Sequence, residues 1–325
     1  MPAEISTSPG RADSPAYAAE THKIGVVTVL YQSAAVLPDF FASLEAQTHT
    51  NFVVYCVDNA SSDGSADLCA QRGVHYVTIR NERNLGVAEG NNIGIRAAMQ
   101  AGCDSILLLN NDVVFNPEMF VRLLQGLERH NADMVTPMVY FADPPDMVWC
   151  AGGAFNRWTG YKSIHSGGGV RDSGQFKSDR RIEYSPTCCV LVKTEVFRRV
   201  GLMDERYFVY WDDADWMWRA KKAGVSLWYV CEATLWHKVG SLTGGKQSDF
   251  SIHYGARNMA YFLYKNVNRI AAWIFRVAYG CYYFLNLLVP SRRDVAAKRL
   301  RGWREGLQLY RSSVREARKS VVSSW

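Results

Sequence analysis

Three carboxylates stand within four positions at Asp212, Asp213 and Asp215, inside the aromatic run 207–218. Like charges this close repel, and crowding of that kind raises a carboxyl pKa towards the range useful to a general base. Helix capping by Asp212 or Asp213 and an i,i+4 pair between Asp215 and Arg219 would account for part of the cluster, not easily for all of it. Asn110-Asn111-Asp112 follows the apolar run 105–109. An Asn-x-Asp pair delivered by a strand to a sheet edge can hold one hard divalent cation through oxygen ligands, or can simply mark a polar strand-to-loop transition. Asp58-Asn59-Ala60-Ser61-Ser62-Asp63-Gly64-Ser65 offers a carboxylate able to accept the imide N–H of uracil or thymine, and reads equally as a turn that caps the next helix. The segment 83–94, with Asn84, Gly86, Asn92 and Gly94, places glycines where a helix start could approach a diphosphate. Its spacing is not that of a dinucleotide fingerprint. His237, in Leu235-Trp236-His237-Lys238, is a ligand candidate or a structural histidine.

The elements that must position these residues alternate in type. Apolar, β-branched runs at 24–30, 52–57, 74–79 and 105–109 predict strands, and 36–47, 65–72 and 87–101 predict helices between them. Such a βαβαβαβ rhythm predicts a parallel, doubly wound sheet whose ligands sit at the carboxyl ends of the strands. Beyond 141 the rhythm changes. Residues 150–182, rich in glycine and polar side chains, predict a long functional loop. A strand is expected at 188–192, and a helix at 214–223 stopped by Gly224.

Composition narrows the class. The 325 residues, 48% apolar, suffice for a large α/β domain or two fused halves. Eight cysteines without CxxC pairs, several within strand-like runs, predict buried free thiols in a reducing compartment, and hence the cytoplasm. Residues 1–22 lack an apolar run and read as a disordered leader, not a secretory signal. The net charge of +6 is local: 291–325 holds ten Lys/Arg against Asp294, Glu305 and Glu316, so the remainder is close to neutral. That distribution points to a local anionic partner and away from nucleic acid. The mostly apolar 270–289 is interrupted by Arg276. Its less apolar positions, Arg276, Tyr279, Gly280, Tyr283 and Asn286, share one helical face. Such a helix could lie in a membrane interface, with the basic tail attracted to anionic lipid, or could pack on the domain.

Taken together and in this order, the five clusters resemble the family-2 inverting glycosyltransferases, in particular their rhamnosyltransferase-like branch, over 23–245. The resemblance implies a GT-A fold: a Rossmann-like, mostly parallel sheet flanked by helices, here with a C-terminal helical extension. The implied divisions are a nucleotide-sugar-binding half at 23–141, an acceptor-binding and catalytic half at 142–249, and C-terminal helices at 250–325. It further implies that Asp58 contacts the nucleobase, and that Asn84, Gly86, Asn92 and Asn110 line the donor pocket. Asp112 and His237 are implied ligands of Mg²⁺ or Mn²⁺, and Asp213 the implied catalytic base, with Asp212 and Asp215 as acidic support. The chain departs from the family in reading Asn-Asn-Asp where Asp-x-Asp is usual, which leaves one charged ligand.

On this reading the chain moves a sugar, L-rhamnose from dTDP-rhamnose or a hexose or galactofuranose from UDP, to a cell-surface glycan or lipid-linked acceptor at the inner face of the membrane. A sugar-nucleotide nucleotidyltransferase would want a Gly-rich basic loop after the first strand, and Thr28-Val29-Leu30-Tyr31-Gln32 lacks one. A silent membrane scaffold would have no need of the acidic and Asn-Asn-Asp clusters.

Overall fold

The computed structural model describes residues 21–239 and 248–322. The leader expected over 1–22 thus lies outside the described residues except for Thr21 and His22, as do Gly240 and Ser241 after the histidine. Strands β1 (Ile24–Leu30), β2 (Phe52–Asp58), β3 (Tyr76–Arg80) and β4 (Ser105–Leu109) pair in parallel in the order β3-β2-β1-β4. Helices α1 (Leu37–Glu45), α2 (Ser65–Ala70) and α3 (Gly86–Gln100) connect them. The order reverses beside β1, which opens a crevice at the carboxyl ends of β1 and β4. β1 and β4 are buried almost throughout, which is why their sequences read as unbroken apolar runs. Gly90 and Gly94 of α3 sit so close to Val29 and Val27 that an added Cβ would come within 2.7 and 2.4 Å. These two glycines serve helix-to-sheet contact, not approach to a phosphate.

The sheet then extends to eleven strands of mixed direction. β5 (Val113–Phe115), α4 (Met119–Arg129) and β6 (Met134–Phe141) follow β4. β12 (Cys189–Lys193) inserts antiparallel between β4 and β6, and the eleven-residue β13 (Leu227–His237) runs parallel to β6 and returns beside β5. The long loop expected over 150–182 is instead built from short strands. After β7 (Met147–Cys150) come the hairpin β8 (Gly153–Asn156) and β9 (Lys162–His165), then β10 (Val170–Arg171) and β11 (Arg180–Ile182). Each is too short, and too interrupted by glycine, for its alternation to stand out, although Phe155 is buried.

α5 (Thr194–Val200) and α6 (Asp212–Lys222) cover the sheet. α6 begins two residues earlier than the expected 214, so the acidic pair belongs to its first turn. The C-terminal extension is three helices: α7 (Asp249–Asn266), α8 (Arg269–Leu287) and α9 (Arg293–Val322). Phe262 of α7 joins the core through Trp211 and Trp218. Gly302 and Gly306 let α9 meet the α7 main chain, where a Cβ would come within 2.5 Å of the His253 carbonyl oxygen and 2.0 Å of that of Arg257. Among the described residues no helix is long and apolar enough to cross a membrane.

Candidate active site

The strand ends place the donor-side residues. Asp58 closes β2 and is buried. Its Oδ2 accepts from the Ser61 amide at 3.1 Å, and Oδ1 is buried with no partner among the described residues. Asn84 accepts the Gly86 amide at 2.9 Å, and Asn59 donates to the Gly86 carbonyl at 3.0 Å. Gly86 has φ +84°, and a Cβ there would come within 2.4 Å of the Phe208 carbonyl oxygen, so only glycine lets the 208–211 loop close over the start of α3. Asn92 does not face this pocket. Its side chain is buried and bonded both ways to the Met203 main chain, at 3.0 and 2.9 Å, which ties α3 to the segment leading into that loop.

β4 and β13 bring a second group together across the sheet. His237 Nε2 lies 3.1 Å from Asp112 Oδ1, with both side chains buried. Asn110 and His237 line one cavity of about 960 Å³. Asn111 turns inward, donating to the Val29 carbonyl at 2.7 Å. The donor types suit a divalent cation: one carboxylate oxygen and one imidazole nitrogen lie side by side at 3.1 Å. No cluster of three or more His, Cys, Asp or Glu side chains suited to a metal occurs among the described residues. The remaining coordination positions would therefore fall to a ligand.

The acidic cluster divides. Asp215 is fully buried and bonded to Tyr207 (3.0 Å), Arg219 (2.9 Å), Lys265 (2.9 Å) and Asn266 (2.6 Å). It is a structural anchor of α6 on α7, outside the cavity, and so lends the pair no acidic support by contact with a ligand. Asp212 and Asp213 both line the cavity, Asp212 buried and Asp213 partly open to it. Burial drives both pKa values up, and repulsion by Asp213 adds to the rise at Asp212. Against that rise, Tyr184 donates its hydroxyl to Asp213 at 2.5 Å and the Ala214 amide donates at 2.7 Å, while His165 favours its charge. These contacts favour the charged form of Asp213 and oppose the rise that burial imposes on it.

The profile of glycosyl transferase family 2 matches residues 25–201. This chain belongs to that family. The matched region contains Asp58, Asn84 and Asp112, and ends before Asp213 and His237. The N-acetylglucosaminyl-diphospho-decaprenol L-rhamnosyltransferase of Mycobacterium tuberculosis is 26% identical over 280 residues, spanning 78% of this chain and 87% of the relative. Staphylococcus aureus TarS, residues 1–349 in complex with UDP, has a similar fold at TM-score 0.53 and 15% identity, over 90% of this chain and 92% of that one. GalNAc-T7, solved with UDP, GalNAc and Mn²⁺, does so at TM-score 0.55 and 13% identity, over 74% and 50%. The GT-A fold expected for the glycosyltransferase is the fold observed.

Several residues of this glycosyltransferase's site escaped sequence reasoning. Tyr184 follows β11, and His165 ends β9 and stacks on Tyr184 at 5.8 Å between ring centroids. Trp149 packs edge-on against both His165 and His237, each at 4.7 Å, and so links the ring stacked on Tyr184 to the Asp112–His237 pair. The loop that presents Asp212 and Asp213 has positive φ at Phe208, Tyr210 and Trp211. Non-glycine residues hold that conformation only under external constraint. The constraint comes from Asn258 of α7, fully buried, which donates to the carbonyls of Tyr207 (2.8 Å), Val209 (2.7 Å) and Tyr210 (2.9 Å). An asparagine at the head of the apolar run 259–263 was the available signal.

Proposed function

We propose that this family-2 glycosyltransferase transfers L-rhamnose from dTDP-rhamnose, with inversion, to a hydroxyl of a cell-surface glycan or lipid-linked acceptor. The observation that carries the reading is the single cavity holding Asp213, fixed by Tyr184, together with His237 and Asn110. Asp58, with its unpartnered Oδ1, would accept the imide N–H of the base, and Asn84, Gly86 and Asn110 would line the donor site. Asp213 takes the proton of the acceptor hydroxyl, whose oxygen bonds to the anomeric carbon from the face opposite the diphosphate. The bond from that carbon to the diphosphate oxygen breaks, and the nucleoside diphosphate leaves with its electron pair. Asp112 and His237 would hold Mg²⁺ or Mn²⁺, which supplies neutralisation of charge on the departing diphosphate. The choice of rhamnose rests on the similarity to the mycobacterial rhamnosyltransferase.

A cytoplasmic location at the inner face of the membrane is part of the same proposal. α8 leaves Ile270, Trp273, Ile274, Val277, Phe284, Leu285 and Leu288 exposed, while Tyr283 on its less apolar face is buried against the domain. A surface helix of a water-facing domain has the opposite polarity, and an exposed apolar stripe of this extent suits an interface. The test is a panel of dTDP- and UDP-sugars with a glycan acceptor and Mg²⁺, with the product's anomeric configuration read by NMR. Turnover of dTDP-rhamnose with inverted product is expected. Turnover confined to UDP-sugars would replace the donor, and retained configuration would refute the mechanism.

A further inference from the structure

Two cations in the cavity have no anion. Lys162 on β9 and Arg299 on α9 both line it, and neither is ion-paired to a carboxylate among the described residues. Both face the one cavity, where burial pushes the Lys162 ammonium below its ordinary pKa and the Arg299 charge adds to the fall. Two like charges brought together by separate elements destabilise the empty site, and an anion between them reverses the sign. Tyr279, Tyr282 and Tyr283 of α8 line the same wall, with the Lys162 Nζ over the Tyr279 ring at 5.3 Å from its centroid. A smaller cavity of about 290 Å³ shares Tyr282, Tyr283 and Arg299 with the large one and adds Arg292, also without a carboxylate partner.

What surrounds the pair selects among anions. On one side, within the same cavity, is the base Asp213. On the other is α8, whose tyrosine face lines the cavity and whose opposite face is the exposed apolar stripe. A ligand reaching from the base to that stripe must carry a sugar hydroxyl, then negative charge, then hydrocarbon. The donor's diphosphate has its own place at Asp112, His237 and the start of α3, built from different elements.

We propose that Lys162 and Arg299 form the subsite for the diphosphate of a prenyl-diphosphate-linked acceptor, whose hydrocarbon chain leaves over the apolar face of α8 into the bilayer. The assignment rests on the transferase reading above, and deepens it by naming the acceptor's chemical class and the residues that select it. The Arg299 guanidinium and the Lys162 ammonium supply charge-assisted hydrogen bonds to phosphate oxygens, and the hydroxyls of Tyr282 and Tyr283 supply further donors.

The test uses the full chain in detergent, with farnesyl diphosphate, farnesol, inorganic diphosphate and a nucleoside diphosphate as probes, and binding read by tryptophan fluorescence. Lys162→Gln and Arg299→Gln keep much of each side chain's bulk and remove one charge. Each should weaken farnesyl diphosphate about tenfold, in line with the net worth of a hydrogen bond to a charged group, and the double variant more. Farnesol and nucleoside diphosphate should bind as in the wild type. Unchanged farnesyl diphosphate binding in the double variant overturns the proposal, as does a loss confined to nucleoside diphosphate, which would assign the pair to the donor. Inorganic diphosphate bound as tightly as farnesyl diphosphate would make this a free-phosphate site and overturn the lipid assignment. None of these readouts needs turnover, so failure of the rhamnosyl-transfer reading, seen in the donor panel, is distinguishable from failure here.

Discussion

The proposed donor side and the proposed acceptor side of the site are built by different means. On the donor side, Asp58 and the segment Asn110-Asn111-Asp112 follow directly from where β2 and β4 stop, and parallel pairing with β1 fixes those ends. On the acceptor side no strand end points at Asp212 or Asp213. Their position depends on a loop in an unfavourable backbone conformation, a hairpin that brings His165, and a helix more than forty residues further along the chain that supplies Asn258. Regular hydrogen-bonded structure places the first set. Individual side-chain clamps across long sequence separations place the second, so single substitutions should act differently on the two.

The largest effect separates the halves at the metal pair. Chelation with EDTA should stop transfer, and added Mg²⁺ or Mn²⁺ should restore it. His237→Ala should raise the metal concentration needed for half-maximal rate without altering the pH dependence of the base. Full activity in EDTA would return His237 to a structural role.

A smaller effect is expected at Tyr184. Its hydroxyl stabilises the charged form of Asp213, so Tyr184→Phe removes a pKa-lowering contact and the carboxyl pKa rises further. Because the base must be ionised to accept a proton, the acid limb of the kcat profile should move to higher pH. At neutral pH kcat should fall about tenfold, within the range for a hydrogen bond to a charged group. A profile that keeps its acid limb while losing rate would show that Tyr184 acts on something other than the base.

The smallest effect tests the clamp itself. Asn258→Ala removes the buried amide that donates to the carbonyls of Tyr207, Val209 and Tyr210 and should lower unfolding stability by about 1–3 kcal/mol. Its kcat should drop while nucleotide affinity stays near wild type, since Asp58 and Asn84 are untouched. Equal losses on both sides would show that the two halves are not separately supported.

The same contrast explains what was legible in the sequence. β1, β2 and β4 were readable to within a residue, because strands buried on both faces appear as apolar runs. Asp58, Asn84, Asp112, His237 and Asp213 could be named from their motifs; His237 and Asp213 line one cavity, and Asp112 lies against His237. Asn92 and Asp215 were legible as polar residues in suggestive places, yet each is fully engaged elsewhere in the fold. Two of the partners that engage them, Met203 for Asn92 and Lys265 for Asp215, lie 50 or more residues away and carry no local signal. Tyr184, Asn258, Lys162 and Arg299 were missed for the same reason. α6 was placed two residues late because capping rules put the acids before the helix, whereas Trp211, at φ +68°, ends the loop and leaves them inside its first turn.

The account's central claim is that Asp213, not Asp212, is the base. It is tested most directly by kcat for Asp213→Asn and Asp212→Asn at saturating donor and acceptor, alongside donor affinity by titration. Asp213→Asn should lower kcat by about two to four orders of magnitude, the range for loss of a general base, with donor affinity little changed. Asp212→Asn, which imitates the protonated form, should cost far less. Turnover above about a tenth of wild type in Asp213→Asn, measured against that general-base range, or a larger loss in Asp212→Asn, would contradict the assignment.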